Sequence, residues 1–153
     1  MTDNVAMASS YRMTAVIFLE SAKVLNRAFQ DKGESTVGNW RAVPFYYLIS
    51  HAAELFLKCA LLKRGVSPDD LKSSSLRHSL ENLLRELLKK GVPISEPCSQ
   101  SLLRLSHQHE KHALRYTFVW VDDGPPIFTP EPEELFSMLD ELLMAGRIAT
   151  YGV

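Results

Sequence analysis

The chain has 153 residues, 46% hydrophobic and 23% charged, with a formal net charge of -1. That size and mixture suit one globular domain with a sizeable core, and they exclude a disordered chain. The near-zero charge gives no bulk argument for nucleic acid, so a nucleic-acid role would need a local basic patch.

The breakers cut the chain into predicted elements. Phe18, Ala22, Leu25 and Phe29 recur at helical spacing, which predicts a first amphipathic helix from about Ser9 to Gln30. Asp31 to Asn39 is a polar loop with two glycines. A second helix is expected from about Trp40 to Arg64, with Pro44 in its first turn and Gly65 as its stop. The stretch VSPDDLKSSS reads as a loop. A third helix lies within Leu76 to Lys90, where Leu76, Leu80, Leu83, Leu84, Leu87 and Leu88 form a leucine face and Gly91 ends it. Ser95 caps a fourth helix from about Glu96 to Lys111. Thr117 to Val121 favours extended backbone, and Gly124, Pro125 and Pro126 forbid a helix. Thr129 should cap a last helix with Pro130 at its first position, and Leu135, Leu139, Leu142 and Leu143 give it an apolar face. The fold class expected is all-α: one domain over residues 1–153, an up-and-down bundle of about five helices, its tail from residue 117 an extended connection plus a C-terminal helix.

The second helix poses a chemical question. In HAAELFLKCALLKRG, His51, Glu54 and Lys58 stand at i, i+3 and i+7, within roughly 60° of one another on the wheel. Apolar residues cover every other direction, from Tyr46 to Leu62. A helix apolar all round is central, or is covered on a second side by a partner. The three groups are then either a buried polar seam that satisfies itself or an exposed stripe, and a covered second side predicts a homodimer.

Three motifs follow in order, the first on this second helix: His51 with Glu54, Leu55, Leu57 and Lys58; His78 with Leu80 opening a leucine-rich helix; and Arg115 with Tyr116. In these features the chain from about Phe45 to Tyr116 resembles the HEPN domain family. The resemblance implies a helical bundle that usually dimerises and associates with RNA or nucleotides, often in toxin–antitoxin, phage-defence or stress systems. It marks His51, Glu54, Lys58, His78, Arg115 and Tyr116 as family-motif positions for binding or structure. Possible partners are an antitoxin or a nucleotidyltransferase.

Catalytic members of that family are metal-independent ribonucleases with an Arg-x4-6-His signature, in which His moves protons and Arg stabilises phosphorane charge. Arg104 and His109 match the spacing, with Leu105 where the family prefers a polar residue. A chain of this composition shows about one such spacing by chance. Three functions are therefore open. The first and preferred one is a non-catalytic or regulatory HEPN-like module, dimeric, acting with RNA, a nucleotide or a protein partner. The alternatives are a ribonuclease toxin using Arg104 and His109, and a plain interaction domain.

HQHEKH, residues 107–112, invites a metal reading, but His109 and His112 lack the HExxH arrangement, and solvated histidines near a helix C-terminus are commoner. No metal is expected, and no cofactor, because the seven glycines are scattered and build no phosphate loop. Cys59 and Cys98 form no CxxC pair. No run of 18 apolar residues occurs, so no membrane-spanning helix is expected, and the N-terminus has no secretory pattern. The cytoplasm is the default expectation.

Overall fold

A computed structural model describes the backbone of residues 2–110 and 130–147, and the side chains of residues 3–106 and 130–147. Among these residues every regular element is helical. The elements are α1 (Thr2–Asp31), a 3-10 turn (Trp40–Ala42), α2 (Val43–Lys63), α3 (Pro68–Lys72), α4 (Leu80–Lys89), α5 (Glu96–Glu110) and α6 (Pro132–Ala145). The expected extended connection around Thr117–Val121, and the cap at Thr129, lie outside the described residues.

The helix α2 is the axis of the bundle, and α1, α4, α5 and α6 all pack against it. Phe45, Tyr46, Ile49, Phe56, Leu57 and Leu61 along it are fully or almost fully buried. Each such side chain contributes about 1.5–3 kcal/mol by leaving water. The all-round apolar wheel is thus accounted for inside one chain, and it no longer argues for a second copy against α2. The segment Trp40–Lys63 is long and apolar enough to cross a membrane by length and composition, with mean hydropathy 1.3. In the fold 78% of its apolar window is buried among the other helices.

At about 1.5 Å per residue, α1 is about 45 Å long. Its inner face is built on Ala8, Ala15 and Ala22, all fully buried and seven residues apart, with Leu19 and Asn26 beside them. On α2, Ala52, Ala53 and Ala60 are equally small and buried. Small residues on the inner face of α1 let the neighbouring backbone approach closely. The helix starts at Thr2 rather than near Ser9, because its first turns also have partners. Ala8 is in the core, Met7 packs against it, and Asn4 Nδ2 donates to the Val66 carbonyl. The loop that follows is held to α1 by Thr36, whose buried hydroxyl donates to Asn26 Oδ1 at 2.7 Å, and by a Glu34–Arg41 ion pair.

Three further features differ from expectation, each for a local reason. VSPDDLKSSS contains a short helix: Ser67 Oγ accepts the Asp70 N–H, Pro68 stands in its first turn, and Leu71 is buried beneath it. The described residues therefore hold six α-helices rather than about five. The last helix begins at Pro132, not Pro130. Glu131 precedes a proline and is held extended at φ -63, ψ 147, so helix cannot start before it. The leucine face of α4 is narrower than expected, since Leu88 is 45% exposed. The glycine stops match the sequence reading. Gly65 and Gly91 end α2 and α4 at positive φ, 81° and 76°. Ser95 caps α5 as expected, and Ser79, which the sequence reading does not single out, caps α4.

Close approach of α1 to α2 gives a stability prediction. Ala15→Leu should overpack that contact and cost about 1–3 kcal/mol in a denaturant titration. Val5→Leu, on an exposed position of the same helix, should stay within about 0.5 kcal/mol.

Candidate functional site

The polar line on α2 divides. Glu54 and Lys58 lie one turn apart and face inward, 4% and 8% exposed. Lys58 Nζ donates to Glu54 Oε1 at 2.6 Å and to the Arg77 carbonyl at 2.7 Å. The second bond comes from the segment between α3 and α4, so the pair ties that segment to the axis. His78 completes the cluster, its Nδ1 lying 3.3 Å from Glu54 Oε1. That contact is a hydrogen bond when Nδ1 carries the proton. His78 is the half-buried member, with its side chain 41% exposed. Two of the family-motif segments, separated by 24 positions, thus meet at one carboxylate.

His51 is placed elsewhere. Its ring packs at 4.4 Å from the Tyr47 ring and edge-on at 5.9 Å from Phe18 of α1. The trio expected from the wheel is therefore replaced by Glu54, Lys58 and His78, with His51 in an aromatic contact. Helical spacing could put His51 near Glu54, but not show that α1 would present an aromatic ring to it. The Arg77 carbonyl was invisible in the sequence, because any residue type carries one.

Arg104 projects from α5 into a groove of about 640 Å³ between α5 and α6, lined also by Ser95, Cys98 and Met138. Its guanidinium is 3.6 Å from Glu134 of α6 and is about half exposed. Glu96 and Glu141 line the same groove, so three carboxylates share it with the Arg104 cation. Glu141 is engaged by Ser95, which donates from both its N–H at 2.6 Å and its hydroxyl at 2.7 Å. His109 sits on the last turn of α5, its side chain outside the described residues, as are those of His107 and His112. Since one helix carries both positions, five residues of α-helix set Arg104 and His109 roughly 140° apart around its axis. Arg115 and Tyr116 also lie outside the described residues. Among the described residues no group of three or more His, Cys, Asp or Glu could hold a metal ion.

Neither cysteine is suited to act as a nucleophile. Cys59 and Cys98 are both free thiols in the core. Burial pushes both thiols up, and Glu141 adds to the effect at Cys98, which reaches about 12. A thiol needs its ionised form to attack, and burial opposes that form.

Two outcomes follow. If Glu54→Ala strands the Lys58 ammonium, it should cost about 3–5 kcal/mol by chemical denaturation, while Glu54→Leu combined with Lys58→Met should recover much of the loss. A single-variant cost below about 1 kcal/mol would mean that the pair is solvated. For the thiols, the folded state keeps a proton that the unfolded state loses. Their stabilisation is complete below pH 9, the ordinary thiol value, and declines as pH rises toward about 12 for Cys98. At pH 8 both should resist a thiol reagent until the protein is unfolded, as a colorimetric titration would read.

No family model, no curated protein and no solved structure matches this chain.

Proposed function

We propose that the chain is a HEPN-like helical module, dimeric and non-catalytic, that acts in the cytoplasm with RNA, a nucleotide or a toxin–antitoxin or defence partner. The observation that carries this reading is the meeting of Glu54, Lys58 and His78, which joins two of the motifs in which the chain resembles that family. In this reading Glu54 and Lys58 are the frame, because both are buried and committed to partners within the chain. His78 and the exposed Arg77 beside it are the groups that solvent, and so a phosphate, can reach. Ser73 and Ser75, a few residues earlier, add exposed or half-buried hydroxyls. A guanidinium next to an imidazole offers charge-assisted donors to phosphate oxygens.

The surroundings of Arg104 favour the non-catalytic form. A phosphodiester entering the groove between α5 and α6 would meet Glu96, Glu134 and Glu141 as well as the cation. Proton transfer also requires histidine and arginine on the same few ångströms of substrate, which a separation of roughly 140° around one helix opposes.

The test is to incubate purified full-length chain with single-stranded RNA oligonucleotides and with nucleotides, reading binding by fluorescence anisotropy and integrity by gel. Binding without cleavage is expected. Arg77→Ala should weaken it and reduce the slope of log affinity against log salt by roughly 1. Cleavage that disappears in both Arg104→Ala and His109→Ala would establish the ribonuclease alternative. Absence of binding to any of these ligands would leave the plain interaction domain.

A further inference from the structure

The outer face of α1 carries a pattern that the bundle does not use. Asp3, Ser10, Ile17 and Val24 follow one another every seven residues, and so do Ala6, Met13, Glu20 and Arg27, three positions later. They fall at the a and d positions of one heptad frame, with Ala6, Met13, Ile17 and Val24 apolar and Asp3, Ser10, Glu20 and Arg27 polar or charged. All eight are exposed, whereas the f positions opposite, Ala8, Ala15 and Ala22, are the ones buried against α2. Met13, Ile17 and Val24 are 64%, 56% and 61% exposed, unusual for side chains of this size spaced along one stripe. A helix that needs only one covered face has no reason to keep a second seam in register over eight positions.

The charges on the seam say what covers it. In a parallel pairing of two copies each residue meets its own equivalent, so Asp3, Glu20 and Arg27 would each face a like charge. In an antiparallel pairing an a residue faces a d residue. When the two positions add to 30, every layer is complementary: Asp3 faces Arg27 of the second copy, Ala6 faces Val24, Ser10 faces Glu20, and Met13 faces Ile17. The serine hydroxyl donates to the glutamate carboxylate, and Lys23, already 2.8 Å from Glu20, flanks it. Sliding one copy by a heptad in one direction sets Asp3 against Glu20. Sliding it in the other sets Glu20 against Ile17. The seam therefore fits itself in one orientation and one register, and discriminates against the others by repulsion and stranded charge.

We infer that a second copy of this chain docks on the outer face of α1, the two α1 helices running antiparallel about a two-fold axis near Ala15, with Met13 and Ile17 interlocked at the centre and Asp3–Arg27 pairs closing both ends. This rests on the dimeric part of the reading above and fixes its surface and register; it is independent of any RNA or nucleotide.

The experiment uses the full chain. Light scattering at tens of micromolar should give the mass of a dimer. Ile17→Glu, on a solvent-facing position, should raise the dissociation constant at least about tenfold with helicity unchanged. Arg27→Asp should also weaken the dimer, and adding Asp3→Arg in the same chain should restore it, because the exchanged charges face one another again. Met13→Cys protein mixed with Ile17→Cys protein should form a cross-linked dimer on mild oxidation, while each alone should not; the two native thiols are buried. A monomer at that concentration would overturn the inference together with the dimeric reading. A dimer indifferent to Ile17→Glu, or Met13→Cys protein that cross-links to itself as readily as in the mixture, would overturn this surface or register alone and leave dimerisation by another face.

Discussion

An ammonium group in the middle of a helical bundle must be answered from the sides it faces, and Lys58 is answered from two. The Glu54 carboxylate comes from its own helix, one turn earlier, and the Arg77 carbonyl comes from the segment leading into α4. The first partner is available to any helix with Glu and Lys at i and i+4. The second exists only when the chain after α3 returns to α2. Burial of the pair is therefore conditional on the tertiary fold, and the fold in turn has its α3–α4 segment held by the pair. His78 joins through the same carboxylate. The desolvation cost of two buried charges is offset only while these bonds are made.

Around that point the helices divide their work by residue size. Large apolar side chains along α2 fill most of the core, and alanines line the inner face of α1. Small residues make a long helix sit close without demanding a wide apolar stripe. That economy on its inner face leaves α1 free to carry Met13, Ile17 and Val24 outward. Elsewhere the junctions are made by single polar side chains. Ser106 of α5 accepts the Glu81 N–H at the start of α4, Lys63 donates to the Gly146 carbonyl after α6, and the Tyr46 hydroxyl donates to the Pro130 carbonyl before α6. The first two contacts satisfy helix-end backbone groups that lack partners within their own helix, and the third fixes the chain entering α6.

The functional reading follows from which polar groups this arrangement consumes. Glu54, Lys58 and the Arg77 carbonyl are used internally, so the motif that draws the eye in the sequence is chiefly a frame. What it presents outward is His78 with Arg77 at one joint of the bundle. Arg104 is presented too, but among carboxylates on α5 and α6. A cation in such a groove is held by its neighbours and has less charge to offer a phosphate.

Helix existence was legible in the sequence because it is local: the leucines of α4, the serine cap at Ser95 and the glycine stops at Gly65 and Gly91 act within a turn or two. The all-α class followed from hydrophobic pattern alone, which left α2 either central or covered by a partner. The sequence also held both answers to the polar line on α2, a buried seam or a surface stripe, since helical spacing fixes angular position and not what lies opposite. Only the tertiary structure decided that Glu54 and Lys58 are buried, that His78 joins them across 24 residues and that His51 faces an aromatic ring of α1. It also decided that α2 is covered by its own chain and that the heptad seam of α1 is not. Spacing along a helix is fixed by backbone geometry, whereas the partner of a side chain depends on which elements the rest of the chain brings to it.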